Sequence, residues 1–224
     1  MDDIRATWET IQQRLAAAAR RVGRDPATVA LVAVSKTVPP ELIEEAVAAG
    51  QLLFGESKIQ EAKAKIPVIS GRARWHLVGH LQSNKAREAV ALFELIHSVD
   101  SLKLATELAQ WAAVAGKTQR VLLEVNVSGE TSKFGLKPDV VPATLAAINA
   151  LPRIQVDGLM TIPPAGQEAR PFFRQLRELR DQLGLAELSM GMTHDYEVAV
   201  EEGATLVRIG TGLFGERPPR APAL

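Results

Sequence analysis

The run Val29-Ala30-Leu31-Val32-Ala33-Val34-Ser35-Lys36 decides the fold. Six consecutive apolar residues, three of them valines, are too short a run for a globular helix and show none of its 3.6-residue period. They read as a strand buried on both faces, the kind a parallel sheet needs. A lysine closes the run. Apolar walls and neighbouring cations at the end of a buried strand lower an ammonium pKa, which is the setting a Schiff-base lysine requires. The plainer alternative is a side chain that reaches solvent where the strand emerges.

Outward from that run, strand-like and helix-like segments alternate. Strands are expected at 29–35, 52–54, 74–78, 95–97, 120–127, 155–160, 187–190 and 206–209. Helices are expected near 40–49, 56–65, 84–92, 101–115, 139–150, 168–183 and 195–202. Such alternation means parallel βα units, and eight strands is the number that closes a (β/α)8 TIM barrel. An open doubly wound sheet is the alternative, but no Gly-x-Gly-x-x-Gly follows the first strand. Upstream, Ile4, Trp8, Ile11, Leu15, Ala18 and Val22 recur every three or four residues. They predict an amphipathic helix, ended by Gly23 and Pro26, whose stripe covers the outside or an end of the barrel. The expectation is one domain over 1–224, with an N-terminal helix over 1–23 and a fraying tail over 218–224.

Composition narrows the function. The 26 basic and 26 acidic side chains cancel, so no bulk field favours nucleic acid or an anionic membrane. Cysteine is absent, which excludes disulfides, thiolate nucleophiles and cysteine metal sites and fits a cytoplasmic protein. The start, Met1-Asp2-Asp3-Ile4-Arg5, lacks the apolar core of a signal peptide. No apolar run approaches the roughly 20 residues that span a bilayer. The four histidines show no metal spacing; His76 reads as a satisfied core histidine and His80 as a loop residue.

A barrel places its chemistry where strands end. Those positions hold Lys36, Gly55-Glu56-Ser57, Gly79-His80, Ser98, Asn126, Thr161, Ser189-Met190-Gly191-Met192-Thr193 and Arg208-Ile209-Gly210-Thr211-Gly212. The last two follow strands seven and eight, where barrels frequently bind phosphate; glycines admit an anion closely and hydroxyls donate to it. Tight turns alone are the alternative reading of the same glycines. Arg208 lies within an apolar strand and needs an acceptor, which either a buried carboxylate or a pyridine nitrogen would supply. Asn126 either faces a ligand or caps a neighbouring backbone group.

Together these residues resemble the pyridoxal phosphate homeostasis proteins, single-domain relatives of the alanine racemase barrel, over nearly the whole chain. The motifs are Ala33-Val34-Ser35-Lys36-Thr37, Phe54-Gly55-Glu56-Ser57-Lys58-Ile59-Gln60-Glu61 and Trp75-His76-Leu77-Val78-Gly79-His80-Leu81-Gln82-Ser83-Asn84-Lys85. Ser132-Lys133-Phe134-Gly135, Gly158-Leu159-Met160-Thr161-Ile162 and Leu188-Ser189-Met190-Gly191-Met192 follow, and the last runs from Val207 to Arg217. The resemblance implies an internal aldimine between Lys36 and pyridoxal 5′-phosphate, with Arg208 facing the ring nitrogen. It implies that Ser189, Gly191, Gly210 and Thr211 hold the phosphate, that Asn126 and Met160 line the ring and that Met190 belongs to the same cofactor site, with no metal and no catalytic residue. Two departures stand out. Ser57 replaces the family's asparagine, and Thr193-His194-Asp195 replaces Ser-Asp-Asp.

The implied role is a cytoplasmic carrier or buffer of the cofactor, with apo-enzymes as recipients and a monomeric state. A weak amino-acid racemase and a cofactor-free Schiff-base aldolase acting on sugar phosphates are the alternatives. Two-domain racemases draw a second base, a tyrosine, from an additional domain. About a dozen residues are expected after the eighth strand here, and Tyr196 lies at a predicted helix start, so at most incidental turnover is expected.

Overall fold

The structure, a computed structural model, describes residues 3–130 and 133–215. Eight parallel strands close into a barrel in chain order: β1 (Ala30–Val34), β2 (Leu53–Glu56), β3 (Arg74–Leu77), β4 (Leu95–Val99), β5 (Gln119–Glu124), β6 (Ile154–Met160), β7 (Glu187–Ser189) and β8 (Leu206–Ile209). Closure comes from β1, which pairs with β2 on one side and β8 on the other, Val32 lying beside Arg208. The expected (β/α)8 barrel is the observed one.

Alternation along each strand sorts the side chains. Val32, Leu53, Val78, Leu95, Leu122, Met160 and Leu206 form one cluster inside the barrel. Their neighbours Leu31, Phe54, Leu77, Ile96, Leu123, Leu159 and Val207 join the larger cluster between strands and helices. Both faces are therefore buried, which is why the strands read as continuous apolar runs. Glycine matters where strands crowd: a Cβ on Gly158 would lie 2.0 Å from the Glu187 carbonyl oxygen, so β6 approaches β7 only without a side chain there.

The helices are α1 (Ile4–Arg21), α2 (Pro40–Ala49), α3 (Ile59–Lys65), α4 (Ala86–Leu92), α5 (Leu102–Val114), α6 (Val141–Asn149), α7 (Arg170–Gln182), α8 (Tyr196–Glu201) and α9 (Thr211–Phe214). Asp3 caps α1 by accepting from the Arg5 N–H. The α1 stripe buries Ile4, Ile11, Leu15 and Ala18 against α2 and α8, so the helix closes the outside of the barrel at the β1–β8 seam. Val22 is 44% exposed, because it stands at the C-cap where the chain leaves the helix. Trp8 Nε1 donates to Gln51 Oε1 at 3.0 Å, and Gln51 Nε2 donates to the Leu31 carbonyl at 2.8 Å, tying α1 to β1.

The fifth strand ends at Glu124 and not at Val127, because the chain turns at Asn126, and the fourth runs on to Val99. The one-turn α9 directly after β8 was not expected. The tail at 218–224, together with Glu216, Arg217 and Ser132 of the motifs, lies outside the described residues.

Candidate functional site

Four polar side chains on the inner face, from β3, β4, β7 and β8, meet in one hydrogen-bonded chain. Arg208 Nη1 donates to Ser189 Oγ at 2.6 Å, and Arg208 Nη2 donates to the Thr161 carbonyl at 2.9 Å. Ser189 Oγ lies 2.8 Å from His97 Nδ1, and His97 Nε2 lies 3.0 Å from His76 Nδ1. A guanidinium only donates, so Ser189 accepts from it, and the serine proton is assigned to His97. His97 then accepts at Nδ1 and donates from Nε2, and His76 accepts at Nδ1. In that assignment the chain runs in one direction from Arg208, with both rings neutral Nε2–H tautomers.

Electrostatics agree with that reading. Burial is the main force holding His76 down to about 3, and it holds His97 well below the ordinary imidazole value. Burial also lowers Arg208 to about 10, opposed by the charges of Glu124 and Asp195, so it stays a cation at neutral pH. Among the described residues no carboxylate oxygen lies within 4.0 Å of it; a hydroxyl and a carbonyl are its partners. Glu124, an inner-face residue at the end of β5, is pushed up to about 7, by burial first and by Asp100 second.

Lys36 stands two residues past β1, on the alternation that puts Val32 and Val34 on the inner face, and is half-buried. Both of its neighbours are held from the outer side. Ser35 Oγ donates to Glu56 Oε1 at 2.8 Å, and Lys65 Nζ reaches the Ser35 carbonyl at 2.6 Å and Glu56 Oε1 at 2.8 Å. On the other side, the Thr37 N–H donates to Glu61 Oε2 at 2.8 Å. Thr37 has φ +63°, a left-handed conformation that a β-branched residue rarely adopts.

The loops after β7 and β8 meet as the sequence implied. Thr193 Oγ1 and Thr211 Oγ1 lie 3.3 Å apart, and the Gly212 N–H donates to Thr193 Oγ1 at 3.3 Å. Gly191 needs its glycine: φ is +90° and a Cβ would lie 2.4 Å from that of Ala199. The Gly191 carbonyl accepts from the Arg208 N–H, joining the β7 loop to β8. The Gly210 carbonyl accepts the N–H groups of Leu213 and Phe214 and starts α9.

The remaining positions have the following surroundings. The Met190 side chain packs in the outer core, while Met160 belongs to the inner cluster. Asn126 turns to its own loop: Nδ2 donates to the Glu130 carbonyl at 2.8 Å, and Oδ1 accepts from Ser128 Oγ and the Gly129 N–H. Glu56 leaves the mouth and is buried on the outer side of β2. His76 is the satisfied core histidine expected. His80 stacks on Phe134 with centroids 3.8 Å apart, and His194 is exposed.

The sequence reading overlooked His97, Glu124, Glu61 and Lys65. A histidine inside Leu95-Ile96-His97-Ser98-Val99 and the i,i+4 spacing of Glu61 and Lys65 were the available signals.

The alanine racemase N-terminal domain family matches residues 7–218. The pyridoxal phosphate homeostasis protein of Pseudomonas aeruginosa is 45% identical over 229 aligned residues, covering 100% of both chains. That of Aquifex aeolicus is 44% identical over 217 residues, covering 92% of this chain and 95% of its own. The solved structure of PipY from Synechococcus elongatus with pyridoxal phosphate bound has a TM-score of 0.79 at 42% identity, covering 92% of this chain and 100% of that one. An alanine racemase of Clostridium difficile shares the fold alone, with a TM-score of 0.71 at 14% identity over 97% of this chain and 58% of its own.

Proposed function

Since the chain belongs to the pyridoxal phosphate homeostasis proteins, on the alanine racemase N-terminal barrel, we propose that it captures pyridoxal 5′-phosphate reversibly through Lys36. In this reading it serves as a carrier or buffer and not as an enzyme. The observation that carries it is Arg208: a guanidinium cation inside the barrel, met by neutral acceptors, on the strand that pairs with β1, the strand leading to Lys36. A pyridine nitrogen with its lone pair is an acceptor such a cation suits.

Pyridoxal phosphate supplies an aldehyde that condenses with an amine, one water leaving as the carbon–nitrogen double bond forms and returning on release. Lys36 provides that amine at the C-terminal end of β1. Arg208, protonated at neutral pH, donates toward the ring nitrogen and so keeps it unprotonated, which weakens the ring as an electron sink. Ser189 acts through Arg208, since its hydroxyl already lies between Arg208 and His97. The Thr193 and Thr211 hydroxyls and the backbone at Gly191 and Gly210 hold the phosphate, with Met160 lining the ring.

The non-catalytic reading is supported by the relatives' name and by Tyr196, the single tyrosine of the chain. Its ring lies under Arg14 of α1, 5.5 Å from the guanidinium carbon, on the outside of the barrel and not beside Lys36. Among the described residues no helix is long and apolar enough to cross a membrane. We place the protein in the cytosol as a monomer, handing its cofactor to apo-enzymes.

The test is the near-visible absorbance of the protein mixed with pyridoxal phosphate, before and after borohydride, with peptide mapping. Wild type should turn yellow and carry the reduced adduct on Lys36, and Lys36→Ala should remain folded and colourless. An adduct on another lysine, or no uptake at all, would overturn the proposal.

A further inference from the structure

The buried charges behind Lys36 lie outside the barrel mouth and touch neither the phosphate loops nor Arg208. Glu56 is completely buried and Lys65 nearly so, and the two pair at 2.8 Å between β2 and α3. Burying such a pair in place of apolar side chains brings no clear gain in stability. Its geometry suggests another use. Lys65 holds the carbonyl of Ser35, Glu56 holds the hydroxyl of Ser35, and Glu61 holds both Lys65 Nζ, at 3.3 Å, and the Thr37 N–H. Three of these ties end on a residue adjacent to Lys36, and the Glu61–Lys65 contact joins them. Thr37 also sits in the left-handed region, which costs a β-branched residue free energy and persists only where the surroundings impose it.

We propose that Glu61, braced by the buried Glu56–Lys65 pair, is the positioning residue for Lys36: it holds the left-handed turn at Thr37 and so fixes the direction in which the lysine enters the barrel mouth. The clamp works on backbone, so it sets where the Lys36 Cα–Cβ bond points without contacting the amine's partner. As a positioning device for capture, it rests on the reading of Lys36 given above.

Lys65→Met would strand the Glu56 carboxylate in the core and is a poor probe, since unfolding would follow for reasons unrelated to Lys36. Glu61 is the usable position, because its side chain is 26% exposed and its loss leaves the Glu56–Lys65 contact in place. Glu61→Ala removes the acceptor for the Thr37 N–H, whereas Glu61→Gln keeps an oxygen there. Each variant is compared with wild type for affinity toward pyridoxal phosphate and toward 4-deoxypyridoxine 5′-phosphate, which has the ring and phosphate but no aldehyde.

Glu61→Ala should weaken pyridoxal phosphate about tenfold, as a misdirected reacting group does, and should change the aldehyde-free analogue less than about twofold. Glu61→Gln should recover most of the loss. Equal weakening of both ligands would assign Glu61 to general stability, and no weakening of either would show that the turn does not direct the lysine; each overturns the proposal.

Competitive acetylation of the ligand-free protein, read by peptide mass as the Lys36 rate relative to Lys103, separates the two readings. If wild type takes up no pyridoxal phosphate, capture has failed. A relative Lys36 rate that Glu61→Ala shifts and Glu61→Gln restores would still establish the clamp, and an unchanged rate would reject it.

Discussion

Replacing His76 by asparagine should flatten the acid side of the stability curve, and the size of the effect follows from the buried histidine chain. Burial holds the folded His76 at about 3, against 6.5 for an exposed imidazole. Below pH 6.5 the unfolded chain takes up a proton at this residue and the folded chain does not. The contribution is therefore present above the unfolded value and is lost as the pH falls from about 6.5 toward about 3. At roughly 1.36 kcal/mol per pH unit, His76 alone removes about 2 kcal/mol between pH 7 and pH 5. His97 is depressed in the same direction and adds a loss of its own. Glu124 works oppositely: raised to about 7, it is protonated earlier in the folded state and gains stability as the pH drops.

Glu124 is present in both proteins, and His97 is held down by burial before any effect of His76, so the difference between wild type and variant is chiefly that of His76. Asparagine offers an oxygen close to the position of Nδ1 and keeps an acceptor for the His97 Nε2–H. Urea denaturation at 25 °C and pH 7, 6 and 5, without cofactor, gives the free energies. Wild type should lose about 2 kcal/mol more than His76→Asn over that interval, whatever the variant's offset at pH 7. Parallel curves would mean that the folded protein protonates His76 freely, and the neutral, directed chain would be wrong.

Arg208→Gln should change the visible spectrum of the loaded protein more than its retention of cofactor; identical spectra would place Arg208 away from the ring. Gly191→Ala puts a Cβ 2.4 Å from that of Ala199 at φ +90°, so a loss of about 2–4 kcal/mol is expected in urea denaturation, with weaker phosphate binding; wild-type stability would show that the loop moves aside freely. Incubation of the loaded protein with L-alanine should yield no D-alanine at rates approaching the roughly 1–1,000 per second of ordinary enzymes, as chiral chromatography would show; turnover in that range would make the protein a racemase.

Most of the barrel was legible in local patterns. Strand runs such as Leu31–Val34 and Val121–Leu123 are apolar on both faces because the inner and outer clusters each claim alternate residues. The β7 and β8 loops were legible because Gly191 and Gly210-Thr211-Gly212 are short-range signals. The links between strands were not. His97 and His76 are 21 residues apart and His97 and Ser189 are 92 apart, so only barrel closure brings them into one chain. The clamp was hidden for the same reason, since Glu61 reaches a backbone N–H 24 residues away. Asn126 shows the limit of residue type as a guide: its two-way amide serves a ligand or its own loop equally well in sequence, and here it meets Ser128, Gly129, Glu130 and Lys133.

The inward position of Ser189 explains why so much polar chemistry is tolerated inside the barrel. Apolar side chains of similar volume would fill the places of Arg208, Ser189, His97 and His76 at no cost in hydrogen bonds, and the floor of the same barrel is filled that way. A buried guanidinium is costly unless its donors are met, and a hydroxyl that accepts from it is itself a buried polar group that needs a further partner. That requirement runs from β8 through β7 and β4 to β3, a strand on which a neutral imidazole can end the chain. Ser189 and both histidines therefore follow from one decision, to keep a fixed cation in the barrel interior. A protein that needed only a phosphate cradle and a lysine would not need that cation; one that must hold a ring in a single orientation would.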